Sequence, residues 1–328
     1  MKISLAESPN LTRRLNSPRF NAFKIVIVLL LLLIVAFEFF RYITLVNNIA
    51  FVKHQFEENE AKFTVKMEPE TSVVGKKGGK LFCLILTSEK YHKTRAKFVE
   101  ETWAKNCDGF VFVSDATDPE LAGSINFSND SNYKSIWSKT RSAFEWIHEL
   151  QMVEFDWFLK ADDDSYVVVH RLKRFLSRFD ASGHHYFGRR FIGFIADGDM
   201  LVPYADGGAA YILSKGAVDE LVSTSFKNEK LCAPVDRQVA EDIEIGHCLF
   251  SAGIEPVNVV DEKTGCQRFL FWPPWKSADD KQMLKQKYIE DYAEPIVDGK
   301  KRWDCSKHAF SFHNVTGNEM KLIKYFVN

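Results

Sequence analysis

The sequence has little glycine or proline, almost no net charge and no closely spaced cysteine pair. Its 328 residues include 17 glycines and 10 prolines, and 46% of them are hydrophobic, which is typical of a globular protein and not of a disordered one. The formal net charge of −1 gives no whole-chain field that would attract nucleic acid, so we predict no nucleic-acid partner. No C-x-x-C motif occurs, which counts against zinc and redox motifs of that kind.

One long apolar segment lies near the N-terminus. Residues 25–37 are apolar without interruption, and the segment continues, with two charged residues, to residue 46, long enough to span the ~30 Å hydrocarbon layer of a membrane. Five lysines and arginines precede it against one glutamate, a bias that keeps a short tail cytoplasmic. A cleaved signal peptide is the alternative, although no small-residue cleavage site follows the run. We therefore predict a cytoplasmic tail at 1–24, a transmembrane signal-anchor at 25–46 and a lumenal remainder.

The cysteines agree with a lumenal location. All six lie beyond the apolar segment, and an even number is expected in an oxidising compartment. Six cysteines allow fifteen pairings, and the sequence alone fixes none of them. We predict the bond Cys83–Cys107, which would join the first strand to the end of the following helix. The predicted remaining pairs are Cys232–Cys248 and Cys266–Cys305.

Strands and helices alternate in the remainder of the chain. Residues 47–78 are polar and are interpreted as a stem, and residues 79–328 as one lumenal domain. Continuous apolar runs typical of buried strands occur in LFCLILT, FVFVS and FDWFLKA. Segments with apolar residues at helical spacing separate these runs. The alternation predicts an α/β fold in which helices flank a mostly parallel twisted sheet.

Three consecutive carboxylates, Asp162, Asp163 and Asp164, directly follow one of these strands. In open α/β sheets, ligands bind beyond the carboxyl ends of the strands. A solvated acidic turn or a helix N-cap is the plainer interpretation of such a triplet. Apolar runs on both sides hold it at the edge of the sheet, where a divalent cation such as Mg²⁺ or Mn²⁺, which prefers oxygen ligands and phosphates, would satisfy it. This pattern suggests a nucleotide-sugar site in which the ion neutralises the leaving diphosphate.

Three further stretches carry candidate site residues. Gly207 and Gly208 form a plain turn by default, but glycines also permit a ligand to approach the backbone closely. Glu241 and Asp242 open a predicted helix, where acidic residues are common, yet either could supply the base that an inverting sugar transfer needs. A histidine such as His313 is more often structural than a ligand, and it becomes a metal candidate because the aspartates need a partner.

Seven stretches in this order resemble glycosyltransferase family 31, the inverting β1,3-glycosyltransferases, and within it the core 1 β1,3-galactosyltransferase branch. The stretches that carry the resemblance are RAKFVEETWAKNC, IWSKTRSAFEWIH, DWFLKADDDSYVVV, YFGRRF, GGAAYILSKGA, EDIEIGHCL and SFHNV. They lie within residues 83–315, nearly the whole predicted lumenal part. The resemblance implies a GT-A fold, a UDP-sugar donor and Mn²⁺.

The resemblance also implies roles for individual residues. It maps the metal-binding D-x-D motif onto Asp162 and Asp164, with His313 as a further ligand. It makes Asp242 the favoured catalytic base, with Glu241 orienting the acceptor. The residues that it implies for donor binding are Thr87, Lys139, Asp162, Asp163, Gly207 and Gly208.

In that branch, the enzyme moves galactose from UDP-galactose to GalNAc on Ser or Thr of glycoproteins. The resemblance therefore implies a single-pass type II Golgi membrane enzyme that makes core 1 O-glycans on O-GalNAc glycoprotein acceptors, with a homodimer as a candidate assembly. Two alternatives stay open, namely another UDP-sugar β1,3-glycosyltransferase of the same family and a non-catalytic lumenal chaperone or binding paralogue. Two residues depart from the family pattern: Ala210 stands where a glycine is usual, and Asn314 where an aromatic residue commonly follows the metal histidine.

Overall fold

The computed structural model describes residues 28–43, 64–67, 79–128, 135–150, 153–195, 200–273, 296–297, 300–301 and 306–327. The chain divides into two compact units, Met1–Gln55 and Phe56–Asn328. In the first unit, residues 28–43 form helix α1, and all of its side chains are exposed. Across the described residues, no helix is both long enough and apolar enough to cross a membrane. The predicted anchor at 25–46 extends beyond α1 at both ends, into residues outside the described part.

The second unit alternates strands and helices. Its strands are β1 (Thr64–Met67), β2 (Leu81–Leu86), β3 (Gly109–Ser114), β4 (Ser124–Asn126), β5 (Trp157–Asp162), β6 (Tyr166–Val167), β7 (Tyr186–Gly188), β8 (Arg190–Phe194), β9 (Leu201–Ala205), β10 (Tyr211–Ser214), β11 (Asn258–Asp261), β12 (Phe269–Leu270), β13 (Ile296–Val297), β14 (Lys300–Lys301) and β15 (Ser311–Phe312). Its α-helices are α2 (Lys97–Thr102), α3 (Ile136–Leu150), α4 (Val169–Leu176), α5 (Lys215–Ser223), α6 (Glu241–Ser251) and α7 (Gly317–Val327).

The central sheet has six strands in the order β4-β3-β2-β5-β10-β7. Strands β4, β3, β2 and β5 pair in parallel, whereas β10 pairs antiparallel with both β5 and β7. The sheet is therefore mixed, and β10 runs antiparallel to the other five strands. The three predicted strand runs form β2, β3 and β5, so the α/β prediction is confirmed for this part of the chain.

Two apolar cores cover the two faces of this sheet. Leu81, Cys83 and Ile85 of β2 belong to one core, and the intervening residues Phe82, Leu84 and Leu86 belong to the other. Successive side chains of a strand point to opposite faces, so a strand buried on both sides must be apolar at every position. Helices α2, α4 and α7 contribute to the first core, and α3, α5 and α6 to the second.

A smaller sheet, β12-β15-β6, lies next to the carboxyl end of β5. Strand β6 follows the aspartate triplet directly and pairs antiparallel with β15, with Phe312 opposite Tyr166. The backbone N–H of Val315 also donates to the carbonyl of Asp164, at 2.9 Å. These contacts bring His313, which follows β15, to the aspartates.

Strand β1 lies inside the segment predicted to be a stem. It pairs in parallel with β11, with Val65 opposite Val259. Val65 is partly buried against the first core. A part of the predicted stem, β1, thus belongs to the second unit and is held there by its pairing with β11.

Two of the predicted disulfides are present. Cys83 in β2 is bonded to Cys107, which follows α2 and a short 3₁₀ turn, and Cys232 is bonded to Cys248 of α6. Cys266 is disulfide-bonded, and its predicted partner Cys305 lies outside the described residues.

Candidate active site

The aspartate triplet forms a tight turn at the end of β5. The hydroxyl of Ser165 accepts the N–H of Asp162 at 3.2 Å, and its own hydrogen goes to the carbonyl of Gly208 at 2.7 Å. The buried indole of Trp103 donates to the carbonyl of Ser165 at 2.9 Å. The turn is therefore fixed through backbone groups, which leaves the three carboxylates free to point in different directions.

Cations of the protein itself face each carboxylate. Lys160 Nζ lies 2.7 Å from Asp162 Oδ1. Arg95 Nη1 lies 3.2 Å from Asp163 Oδ1 and 3.1 Å from Asp164 Oδ2. His313 Nε2 lies 3.4 Å from Asp164 Oδ1. Part of the repulsion among the carboxylates is thus offset without any added ion.

Asp163 differs from its two neighbours because it is directed inward. It is 5% exposed and accepts the hydroxyl hydrogen of Thr87 at 2.6 Å. Burial raises the pKa of Asp163 to about 7, against the lowering effect of the Thr87 hydrogen bond. The backbone carbonyl of Thr87 in turn accepts a hydrogen bond from Nζ of the buried Lys139, at 3.0 Å. Three of the predicted donor-binding residues therefore form one contact group at the end of β2.

Asp162, Asp164 and His313 form a group of potential metal ligands. One ligand atom from each lies within 4.8 Å of the others. Burial lowers the pKa of His313, but the hydrogen bond that it donates to Asp164 and the charges of the nearby carboxylates raise this pKa to about 9. Its Nδ1 is buried and has no hydrogen-bond partner among the described residues. Two carboxylates and an imidazole with an unpaired nitrogen fit a divalent cation such as Mn²⁺.

The glycine pair lies against these same side chains. A Cβ on Gly208 would lie 2.0 Å from His313 Cε1, and a Cβ on Gly207 would lie 2.8 Å from Lys160 Nζ. Real Cβ atoms essentially never approach other atoms so closely, so a Cβ at either position would displace His313 or Lys160. Glycine at these positions thus lets His313 and Lys160, side chains of the protein itself, lie close to the backbone, and close approach by a ligand stays a prediction.

Both departures from the family pattern adopt left-handed backbone conformations. Ala210 has φ 70° and Asn314 has φ 57°. Asparagine tolerates this region better than most residues, whereas alanine pays about 1–2 kcal/mol there. The usual glycine at position 210 would adopt this φ without strain.

The acidic pair at the start of α6 divides into a buried and a partly exposed residue. Glu241 is 5% exposed, and both of its oxygens are bound, by Tyr211 Oη at 2.6 Å and by Lys160 Nζ at 2.9 Å. Asp242 is partly exposed and accepts the N–H of Gly207 at 3.2 Å. Burial raises the pKa of Asp242 to about 7, with the neighbouring Glu241 charge adding to the effect.

Residues 77–260, more than half of the chain, match the model of the Fringe-like family. This segment contains the aspartate turn, the glycine pair and the acidic pair of α6. The chain belongs to the Fringe-like family, glycosyltransferase family 31.

Several relatives and one solved structure are similar to this Fringe-like chain. Glycoprotein-N-acetylgalactosamine 3-beta-galactosyltransferase 1 of Xenopus laevis is 30% identical over 253 residues, which cover 76% of this chain and 66% of the relative. Chondroitin sulfate synthase 3 of Homo sapiens is 25% identical, over 52% of this chain and 20% of the relative. A glycosyltransferase involved in the glycosylation of the major capsid of PBCV-1 aligns over 75% of this chain and 99% of its own, with 13% identity and a TM-score of 0.35.

Sequence reasoning missed three residues of this Fringe-like site: Arg95, Lys160 and Tyr211. Lys160 left a signal, because it interrupts the apolar run of β5 two residues before Asp162. Arg95 lies in a stretch that carries the family resemblance, but nothing in its spacing pointed to aspartates 68 residues away. Tyr211 reads as an ordinary strand residue, and only the pairing of β10 with β5 brings it opposite Lys160.

Proposed function

We propose that this enzyme transfers galactose from UDP-galactose, in β1,3 linkage and with inversion, to GalNAc on Ser or Thr of glycoproteins. The observation that carries the proposal is the 30% identity, over 76% of the chain, to a glycoprotein-N-acetylgalactosamine 3-beta-galactosyltransferase. The chain spans 66% of that relative's length. Presence of the candidate metal ligands and of the acidic pair favours catalysis over a role as a non-catalytic paralogue.

In this proposal, Asp162, Asp164 and His313 hold Mn²⁺, which when bound would neutralise the diphosphate of the donor. Lys139, Thr87 and Asp163 lie at the carboxyl end of β2, where open α/β sheets bind nucleotides. Lys139 supplies a buried positive charge at this strand end, and Thr87 and Asp163 hold each other in place through their hydrogen bond. These residues would bind and orient the donor.

Asp242 is the proposed base. The attacking acceptor hydroxyl must lose its proton as the new glycosidic bond forms, so a carboxylate must lie within hydrogen-bond reach. Asp242 is the partly exposed member of the acidic pair and is separate from the proposed metal ligands. A carboxyl pKa near 7 suits a base that operates near neutral pH. The resemblance implies that Glu241 orients the acceptor. Because both of its oxygens are bound within the protein, we propose instead that Glu241 fixes the start of α6 and so positions Asp242.

The proposal includes a Golgi location, with residues 1–24 in the cytosol and residues 47–328 in the lumen. The excess of basic residues before the apolar segment supports this orientation. Protease treatment of intact microsomes tests it, because a C-terminal tag should resist digestion until detergent is added. Digestion of the tag without detergent would reverse the assignment.

The activity is tested by measuring UDP release by the purified full-length protein from a panel of UDP-sugars, with and without Mn²⁺. Addition of benzyl-GalNAc then tests the acceptor. We expect Mn²⁺-dependent release from UDP-galactose that rises with benzyl-GalNAc. Release from a different UDP-sugar would support another transferase of the family, and no release from any donor or acceptor would support the non-catalytic alternative.

A further inference from the structure

Lys160 is a charged residue placed within the apolar core. It lies in the middle of β5 on the face that packs in the second core, and it is 3% exposed. An ammonium at such a place is unfavourable unless its charge is paired and its hydrogens are bound. Its Nζ has three acceptors: Asp162 Oδ1 at 2.7 Å, Glu241 Oε2 at 2.9 Å and the carbonyl of Gly207 at 3.4 Å. An ammonium has three hydrogens, so its donor capacity is fully used.

The three acceptors belong to three segments that are distant in the sequence. Asp162 ends β5 and is a proposed metal ligand. Gly207 lies in the turn before β10 and donates its N–H to Asp242 Oδ2. Glu241 is the first residue of α6 and precedes Asp242. The Lys160 ammonium therefore contacts the proposed metal ligand Asp162 directly. It is connected to the proposed base Asp242 in two ways, through Glu241, the preceding residue, and through Gly207, whose N–H binds Asp242.

Tyr211 is the second residue that holds the Glu241 carboxylate in place. It is the residue of β10 that pairs opposite Lys160 on β5, and its hydroxyl donates to Glu241 Oε1 at 2.6 Å. Lys160 holds the other oxygen of the same carboxylate. Because both oxygens are fixed by neighbouring strands of one rigid sheet, the first turn of α6 is held at a set distance from the end of β5.

We propose that Lys160 is a positioning residue that fixes the separation between the metal carboxylate Asp162 and the base carboxylate Asp242. This inference rests on the proposed function for the roles of those two carboxylates. The contrasting explanation is that Lys160 serves only to neutralise the buried Glu241. If Lys160 only neutralises Glu241, removing both of these charges together should leave the site unchanged. If Lys160 positions Asp162 and Asp242, the same change should disturb both.

The test therefore uses the paired variant Lys160→Met/Glu241→Gln of the full-length protein. Methionine has a similar length and fills the space of the lysine stem. Removal of both members of a buried ion pair is often tolerated, whereas removal of one leaves an uncompensated charge. Tyr211→Phe is a second variant, which loses only the hydroxyl to Glu241 and keeps both charges. The matched control is Glu244→Gln, because Glu244 is also buried on α6 but binds the N–H of Ala233.

Three measurements separate the explanations: the Mn²⁺ binding isotherm in the presence of UDP, hydrogen exchange at the Gly207 amide in metal-free protein, and kcat against KM for transfer. For the paired variant we expect Mn²⁺ affinity to fall by about 10–100-fold, as for other residues that orient metal ligands. We also expect faster exchange at Gly207 and a loss in kcat larger than the change in acceptor KM. Tyr211→Phe should lower kcat and keep Mn²⁺ affinity, since Lys160 still holds Asp162.

The inference is overturned if the paired variant folds and keeps wild-type Mn²⁺ affinity, Gly207 protection and kcat. It is also overturned if Glu244→Gln produces the same losses, because that result would show a general effect of destabilising α6. If the wild-type protein transfers no sugar from any donor, the proposed function fails. The metal isotherm and the exchange measurement still decide the positioning role in that case. If the paired variant does not fold, a wild-type kcat in Tyr211→Phe rejects the route from Lys160 to the base.

Discussion

Replacing Gly208 with alanine should displace His313 from the proposed metal site. A Cβ at position 208 would lie 2.0 Å from Cε1 of the imidazole and 2.3 Å from Nδ1 and from Nε2. Carbon atoms in contact normally lie about 3.5–4.0 Å apart, so the ring must move by roughly 1.5 Å. The imidazole can move because it ends a side chain that is 17% exposed. The backbone of His313 is held by the pairing of β15 with β6 before it and by the bond from the Val315 N–H to the Asp164 carbonyl after it.

The size of the effect follows from this displacement. Metal–ligand distances vary by only about ±0.2 Å, so a ring displaced by roughly 1.5 Å no longer serves as a ligand. Even changes in residues that merely orient ligands reduce metal affinity by about 10–100-fold, and loss of a ligand should cost at least as much. The strain of accommodating one methyl group should destabilise the fold by about 1–3 kcal/mol.

Calorimetric titration of Mn²⁺ in the presence of UDP measures this loss, and denaturant unfolding measures the stability. The control is the same substitution in a His313→Ala background, where no imidazole is present to collide with the methyl group. We expect Gly208→Ala to have little further effect on Mn²⁺ affinity there. Equal losses in both backgrounds, or unchanged affinity in Gly208→Ala alone, would refute this account of the glycine.

Three further predictions concern the base and the disulfide. Asp242→Asn should lower kcat by about 10²–10⁴-fold and keep Mn²⁺–UDP affinity. Glu241→Gln, which changes only how the start of α6 is held, should lower kcat less than Asp242→Asn does, and a larger loss in Glu241→Gln in steady-state kinetics would exchange their roles. Because burial raises the pKa of Asp242 to about 7 and the base acts as the carboxylate, kcat/KM should fall about tenfold per pH unit below that value. A flat profile there would contradict the assignment. Replacing both Cys83 and Cys107 with alanine should reduce the free energy of unfolding by about 2–4 kcal/mol, because it removes a cross-link over 24 residues, and an unchanged denaturant midpoint would contradict this.

The local pattern of the sequence was sufficient for β2, β3 and β5 and for the start of the helix that carries the acidic pair. Strand β2 is apolar at six successive positions, which predicts burial on both faces, and its residues do divide between two cores. The aspartate turn could be placed at a strand end for the same reason, since an apolar run ends there. The acidic pair opens α6 as expected from an acidic first turn.

The antiparallel direction of β10 was not predictable from such patterns. A strand buried on both faces has the same apolar sequence whether it pairs in parallel or antiparallel, because burial constrains side-chain polarity and not chain direction. Strand β1 was not predictable either, because its four residues pair with β11, which lies far along the chain.

The sequence by itself determined that β2, β3 and β5 are buried strands, that carboxylates follow β5 and which chemistry such residues favour. It did so because side-chain periodicity and turn chemistry are local properties. Only the tertiary structure decided how those carboxylates are balanced. Arg95, which follows β2, faces two aspartates that follow the neighbouring strand β5, and Lys160 of β5 joins Asp162 to Glu241 at the start of α6. A buried charge is stabilised by whatever lies within a few ångströms of it, and those neighbours come from segments that the fold alone brings together.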